Sequence, residues 1–197
     1  MARRLKAMGA PGYEDGFALR LMPERLLQPL RRKKPTTFFV NSMSDLFHED
    51  VPDRYIDDVL HVIGQTPQHT YQILTKRADR LPEFFRGRTL SDNIWLGVSV
   101  EDKAYGVPRI DHLRRVDAKV RFLSVEPLLE DVGVLNLSGI HWVIVGGESG
   151  SRARPMNSEW VENVRNQCYE RNKKANGRSL NGRVYEEYPR VNIIAIS

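Results

Sequence analysis

The feature that most constrains this chain is a set of short apolar runs that each stop at a small polar or acidic cluster. Trp142-Val143-Ile144-Val145 ends in Gly146-Gly147-Glu148-Ser149-Gly150, and Phe38-Phe39-Val40 ends in Asn41-Ser42-Met43-Ser44-Asp45. Ile94 to Val98 ends in Ser99-Val100-Glu101-Asp102, and Val120 to Leu123 ends in Ser124-Val125-Glu126-Pro127. Thr70 to Leu74, followed by Thr75-Lys76-Arg77, completes the series, whose runs start at residues 37, 70, 94, 120 and 140. Runs this short, rich in β-branched and aromatic residues, suit buried strands, the first of them, Thr37 to Val40, buried on both faces. A strand that ends in a polar loop is how a parallel α/β sheet presents a ligand site.

The segments between the runs have helical spacing. Tyr55, Ile56, Val59, Leu60 and Ile63 share one face of a predicted helix that Asp50 caps, with Pro52 in its first turn and Gly64 at its end. Leu81, Phe84 and Phe85 fall within a short helix from Ala78, and Ile110 and Leu113 within another from about Pro108 to Val116. Asn157 or Ser158 starts a last helix with Trp160, Val161, Val164 and Cys168 inward. Upstream, Pro23 opens a short helix through Leu26, Leu27 and Leu30, and residues 1–10 resemble the last turns of another. Strand and helix in alternation mean right-handed βα units on a parallel sheet. A complete eight-fold barrel takes about 250 residues. Five strands in 197 residues therefore predict a partial (βα) barrel or an open doubly wound sheet.

The domain is expected over residues 1–171. From Asn172 to Ser197 a polar tail follows, with Asn181-Gly182 a hairpin turn and an apolar stretch, Val191 to Ile196, whose pairing the sequence leaves open. One cysteine, Cys168, excludes an internal disulfide and a clustered cysteine metal site within these residues, and it suits a reducing, cytoplasmic setting. No apolar run has the length of a membrane span, so no membrane partner is expected. The net charge of +5 is concentrated in Arg3-Arg4-Lys6, Arg31-Arg32-Lys33-Lys34 and the tail. These clusters allow nucleic-acid contact, but solvated surface explains them as well, since no aromatic residues are interleaved.

The polar strand ends are the candidate ligand residues. Asn41, Ser42, Ser44 and Asp45 either bind polar groups or cap the following turn. Lys76 and Arg77 either hold an anion or pair with Asp79, Glu83 or a neighbouring strand's glutamate. Ser99 with Glu101, and Ser124 with Glu126, put two carboxylates on one rim, to orient an amine or ribose, to act as an acid–base pair, or to neutralise Lys76, Arg77 and Arg121. Gly146, Gly147, Glu148 and Ser149 form the strongest candidate, because glycines let backbone N–H groups approach a ligand closely. No Gly-Lys-Ser/Thr follows, so this is not a Walker loop. No catalytic residue is assigned, and no two of the five histidines have metal-ligand spacing.

Five motifs in order carry a family resemblance: Phe39-Val40-Asn41-Ser42-Met43-Ser44-Asp45-Leu46-Phe47-His48, Gln72-Ile73-Leu74-Thr75-Lys76-Arg77, Trp95-Leu96-Gly97-Val98-Ser99-Val100-Glu101, Arg121-Phe122-Leu123-Ser124-Val125-Glu126-Pro127-Leu128, and Val143 to Gly150 with Arg154-Pro155-Met156. The chain resembles the phage and prophage proteins labelled gp-thirty-seven/gp-sixty-eight-like, a family of unknown function similar to radical S-adenosylmethionine enzymes. The resemblance implies a radical-SAM-type partial barrel, here with the family's first and last strands missing. It also implies S-adenosylmethionine and a [4Fe–4S] cluster as family cofactors, with Asn41, Ser42, Asp45, Lys76, Arg77, Ser99, Glu101, Ser124, Glu126, Gly146, Gly147, Glu148 and Ser149 around the cofactor. Some members are encoded beside a three-Cys-motif partner protein. Members hold the cluster with three cysteines just before a segment like Met1 to Gly9. Those cysteines are not in this sequence, so the cluster is not expected on this chain. The expectation is a truncated or degenerate member whose reaction and substrate are undefined, with open sheet edges that favour self-association. The alternative is a nucleotide- or nucleic-acid-binding module without redox chemistry.

Overall fold

The computed structural model describes residues 21–40, 44–148, 151–176 and 194–196. The apolar runs do become strands: β1 (Thr37–Val40), β2 (Thr70–Thr75), β3 (Ile94–Ser99), β4 (Val120–Val125) and β5 (Trp142–Val145). They lie side by side in sequence order, every pair parallel. A short β6 (Ile194–Ile196) pairs in parallel with the other side of β1, giving the order β5-β4-β3-β2-β1-β6. In a doubly wound sheet the strand order reverses at a switch point. From β1 to β5 there is no reversal, and the order turns back only where β6 joins the far side of β1. The molecule is an α/β protein with an open parallel sheet flanked by helices, and the sheet does not close into a barrel.

The register separates the two faces. Phe38, Tyr71 and Ile94 are aligned across three strands, as are Val98 and Leu123 further along. These side chains are buried and belong to the main core with Ile56, Ile63, Leu81, Phe84, Leu113 and Val164 from the connecting segments. Right-handed crossovers between successive neighbours put those segments on one face. The opposite face carries Phe39, Gln72, Leu74, Trp95, Gly97, Ser99, Phe122, Ser124 and Ile144. Its covering is less complete: Phe39, Leu74, Trp95 and Ile144 are half-buried. This corrects the expectation that β1 is buried on both faces; its burial alternates, because only Phe38 and Val40 meet the core.

The connecting segments are α1 (Pro23–Leu26), α2 (Asp53–Gly64), α3 (Leu81–Phe84), α4 (Arg109–Arg114) and α5 (Ser158–Asn176), with single 3-10 turns at Pro29–Arg31 and Ala78–Arg80. Asp50 does not cap α2. Pro52 takes the N-cap position in extended backbone, and the start of α2 is held instead by Arg80, which donates to the Val51 carbonyl at 2.8 Å and pairs with Asp53. Asn157 does cap α5, its Oδ1 accepting from Glu159 N at 2.9 Å. α5 continues past residue 171 to Asn176, carrying the helix beyond the expected start of the tail. Leu27 and Leu30 do not pack inward, because Pro29 breaks the helix between them and leaves both exposed. The expected N-terminal helix and the Asn181-Gly182 hairpin lie outside the described residues.

Candidate functional site

In a parallel sheet every strand ends at the same edge. The polar residues that terminate β1 to β5 are therefore gathered along one rim by topology alone. The ladder continues to that rim: Ser99 is the register partner of Ser124, and Ser124 of Ile144. Lys76, one residue beyond the Thr75–Val98 pair, falls opposite Ser99. Two residues further along each strand come Glu101, Glu126 and Gly146, on the same side by the period-two rule. Backbone hydrogen bonds knit the loops there, with Val100 N donating to Ser124 O (2.8 Å), Leu128 N to Gly146 O (2.9 Å) and Leu129 N to Glu101 O (3.1 Å).

The charges of the rim fall into three closed groups and one open one. Asp45, at the first strand end, accepts from Phe47 N (3.0 Å), Thr75 Oγ1 (2.7 Å) and Lys76 N (2.8 Å), and Arg77 Nη1 lies 3.6 Å away. Both oxygens are committed, so Asp45 ties the β1 loop to the β2 loop. Glu101 is buried, its side chain 7% exposed. Its Oε1 meets the Lys76 ammonium and its Oε2 accepts from Arg109 Nη1 at 2.9 Å. Arg109 Nη1 is fixed in turn by the Ser99 carbonyl at 2.8 Å. One carboxylate facing two cations leaves a positive surplus, on the half-exposed Lys76. Glu148 is clamped by Arg154, whose Nε and backbone N reach Oε2 (2.7 and 3.0 Å) and whose Nη2 reaches Oε1 (3.1 Å). These bonds hold the Glu148 carboxyl at about 2.

Glu126 is the open group. It is exposed and has no hydrogen bond or ion pair among the described residues. Its carboxylate lies against Gly146: a Cβ at that position would sit 3.0 Å from Glu126 Cδ and Oε1. The Ser99 and Ser124 hydroxyls beneath it likewise have no partner among the described residues, although both serines are buried. Further down the same face Phe122 and Trp142 pack at 5.7 Å, and Trp142 meets Trp95 edge-on at 5.9 Å. The Phe122 ring fits over Gly97, where a Cβ would come within 2.4 Å of it.

Lys76, Ser99, Glu101, Ser124, Glu126, Gly146, Gly147 and Glu148 thus share one end of the sheet, with Asp45 and Arg77 beside them. Asn41, Ser42 and Ser149 lie outside the described residues. Arg121 does not join the rim; it holds the Val116 and Gly139 carbonyls at 2.9 and 3.2 Å. Sequence reasoning missed Arg109, whose only signal was its place eight residues after Glu101 at the start of a helix. It also gave no role to Asp102, whose Oδ1 accepts from Tyr105 N (2.6 Å) and Gly106 N (3.0 Å) and shapes the loop between Glu101 and Arg109. Those N–H bonds hold the Asp102 carboxyl below its ordinary value.

These residues gather at the carboxyl edge of an open parallel α/β sheet, the edge at which such sheets present ligand sites. The chain belongs to the family described as "Protein of unknown function (DUF5131)", whose model matches residues 1–172. No curated protein and no solved structure matches it. Among the described residues no three His, Cys, Asp or Glu side chains gather as a metal-holding group. Cys168, on α5, packs against the core, and burial pushes its thiol up.

Proposed function

We propose that this chain binds a zwitterionic amino-acid nucleoside of the S-adenosylmethionine type in the mouth formed by the ends of β2 to β5, as a phage radical-SAM-like protein. The observation that carries the reading is the unpaired Glu126 beside the free Ser99 and Ser124 hydroxyls, across from the surplus cation of Lys76. An unpaired carboxylate at a rim suits an amine, and a surplus ammonium suits a carboxylate. An amino-acid head supplies both. Ser99 and Ser124, on adjacent strands about 4.8 Å apart, suit ribose hydroxyls. The half-buried Trp95 and Trp142 supply aromatic surface lower on the same face for a base. The series of strand-end motifs and the unreversed order from β1 to β5 support the partial-barrel relation.

The cofactor, when bound, supplies a sulfonium carbon for group or radical transfer. The chain's own contribution is to bind and orient it. Glu126 holds the amine, Lys76 the carboxylate, and the Glu101–Arg109 pair fixes Lys76. Gly146 leaves the room in which Glu126 stands.

Isothermal titration with S-adenosylmethionine tests this. Loss of a charge-assisted hydrogen bond costs about 1.5–3 kcal/mol, so Glu126→Gln is expected to weaken binding roughly 10- to 150-fold. Gly146→Ala is expected to weaken it too while leaving the melting temperature unchanged, because the side chain it displaces is exposed. Absence of heat with the unmodified protein, or equal affinity in Glu126→Gln, would refute the reading.

A further inference from the structure

The other end of the sheet carries a second, unrelated feature. Gln28, Arg31, Arg32, Lys33 and Lys34 line an open groove of about 510 Å³. These residues precede β1, so the groove lies at the amino edge of the sheet, opposite the mouth. A five-residue strand spans about 17 Å, which separates the two.

The backbone beneath these cations is anchored. Pro29 is buried and its carbonyl meets His69 Nε2 at 3.2 Å. Arg32 N donates to Pro29 O at 3.0 Å, and Thr36 Oγ1 to Lys34 O at 2.9 Å. Thr70 N then bonds Thr36 O at 3.0 Å, tying the segment to the sheet. The four side chains above this anchor are exposed. Elsewhere Arg77, Arg80, Arg88, Arg109, Arg114 and Arg154 each face a carboxylate. Among the described residues, none of the four groove cations does.

We propose that this groove is a binding site for the phosphodiester backbone of a nucleic-acid duplex. Four adjacent, uncompensated cations on a fixed support attract successive phosphates, and counter-ion release drives the association. The lining includes no Phe, Tyr or Trp on which an unpaired base would stack, which favours a duplex over a single strand. It offers Gln28 as a neutral hydrogen-bonding side chain, so binding is through the backbone and independent of sequence. A membrane surface is disfavoured despite the nearby exposed Leu27 and Leu30. An interfacial helix needs a continuous apolar face, whereas the helical pieces here are four and three residues long.

The test is fluorescence anisotropy of the full chain with a labelled 20-base-pair DNA duplex of arbitrary sequence, and with an RNA duplex, across a salt series. Each neutralised phosphate contributes a slope of about −0.9 in log K against log salt. Four contacts predict a slope of about −3 to −4. Arg32→Gln with Lys33→Gln is expected to reduce its magnitude by about 2, with both duplexes affected alike. Arg54→Gln with Arg86→Gln, which removes two exposed cations elsewhere, is expected to leave it unchanged. The proposal is overturned by no binding at 25 mM salt, by equal losses in the two double variants, or by an unchanged slope in the first. Capture by phosphatidylserine vesicles without duplex binding also overturns it. Because all four substituted side chains are exposed, both variants are expected to melt with the unmodified protein.

Discussion

Gly97 lies directly under the Phe122 ring, and replacing it with alanine tests that packing quantitatively. A Cβ there would stand 2.4–2.5 Å from three atoms of the Phe122 ring. Carbon atoms in contact prefer about 3.5–4.0 Å, so the ring must retreat by about 1 Å. It has little room, since Phe122 is fully buried and lies against Trp142. Overpacking of this kind costs about 1–3 kcal/mol. Against it stands the reduced entropy of the unfolded chain, about 0.4–1 kcal/mol for Gly→Ala where the backbone permits alanine. Gly97 lies outside the left-handed region, so that gain applies in full. The two terms span a net loss of about 0–2.6 kcal/mol, and because the ring has little room to retreat the upper half of that range is expected, roughly 3–10 °C in melting temperature for a chain of this size. Urea unfolding followed by tryptophan fluorescence measures it, and Trp95 and Trp142 report directly on the site. Phe122→Leu removes the ring edge, so the double variant should lose less than the sum of the single ones, by about 0.5–3 kcal/mol. A neutral or stabilised Gly97→Ala, or strict additivity in the double variant, would refute the packing argument.

Three further outcomes follow from the rim and from α5. Arg109→Ala strips the buried Glu101 of the partner that is itself fixed by a carbonyl; with Lys76 remaining, the expected loss is about 1–3 kcal/mol in urea unfolding. Arg109→Lys should recover only part of it, because one ammonium serves the carboxylate and the Ser99 carbonyl less well than a planar fork. Glu148 should titrate near 2 by carbon-detected NMR, and Arg154→Ala should return it toward 4.5. Its folded value is depressed, so its contribution to stability is complete above the unfolded value and disappears as pH falls from about 4.5 through about 2. Cys168 should alkylate with iodoacetamide at pH 8 more slowly than a free thiol, because burial disfavours its thiolate.

The strands were legible because each one is a short apolar run with an abrupt polar end. Thr37–Val40 appears with the expected limits, and the others lie within two residues of theirs. Parallel pairing then brought the strand ends together, since that follows from alternation of strand and helix. Pair chemistry was harder to anticipate. Asp45 lies next to Ser44 in sequence, but its ties are to Thr75 and Lys76, thirty residues on. Whether Lys76 meets Asp79 or a neighbouring strand's glutamate depends on side-chain direction, and the ladder decides for Glu101. Arg109 was invisible because its role depends on the turn that Asp102 makes through Tyr105 and Gly106. The leucines at 27 and 30 misled, since helical spacing holds only if the helix survives Pro29. Gly97 carried a signal, a glycine within a strand, which marks close approach by another group. The face on which Phe122 lies follows only from the register with β4.

The central claim is that the mouth, with Glu126 in it, holds the ligand. Amide and side-chain NMR shifts of the labelled chain on addition of S-adenosylmethionine test it most directly. The account predicts saturable shifts at Lys76, Ser99, Ser124, Glu126 and Gly146, with Arg31 to Lys34 unmoved. Shifts confined to the amino edge of the sheet, or none at millimolar ligand, would contradict it.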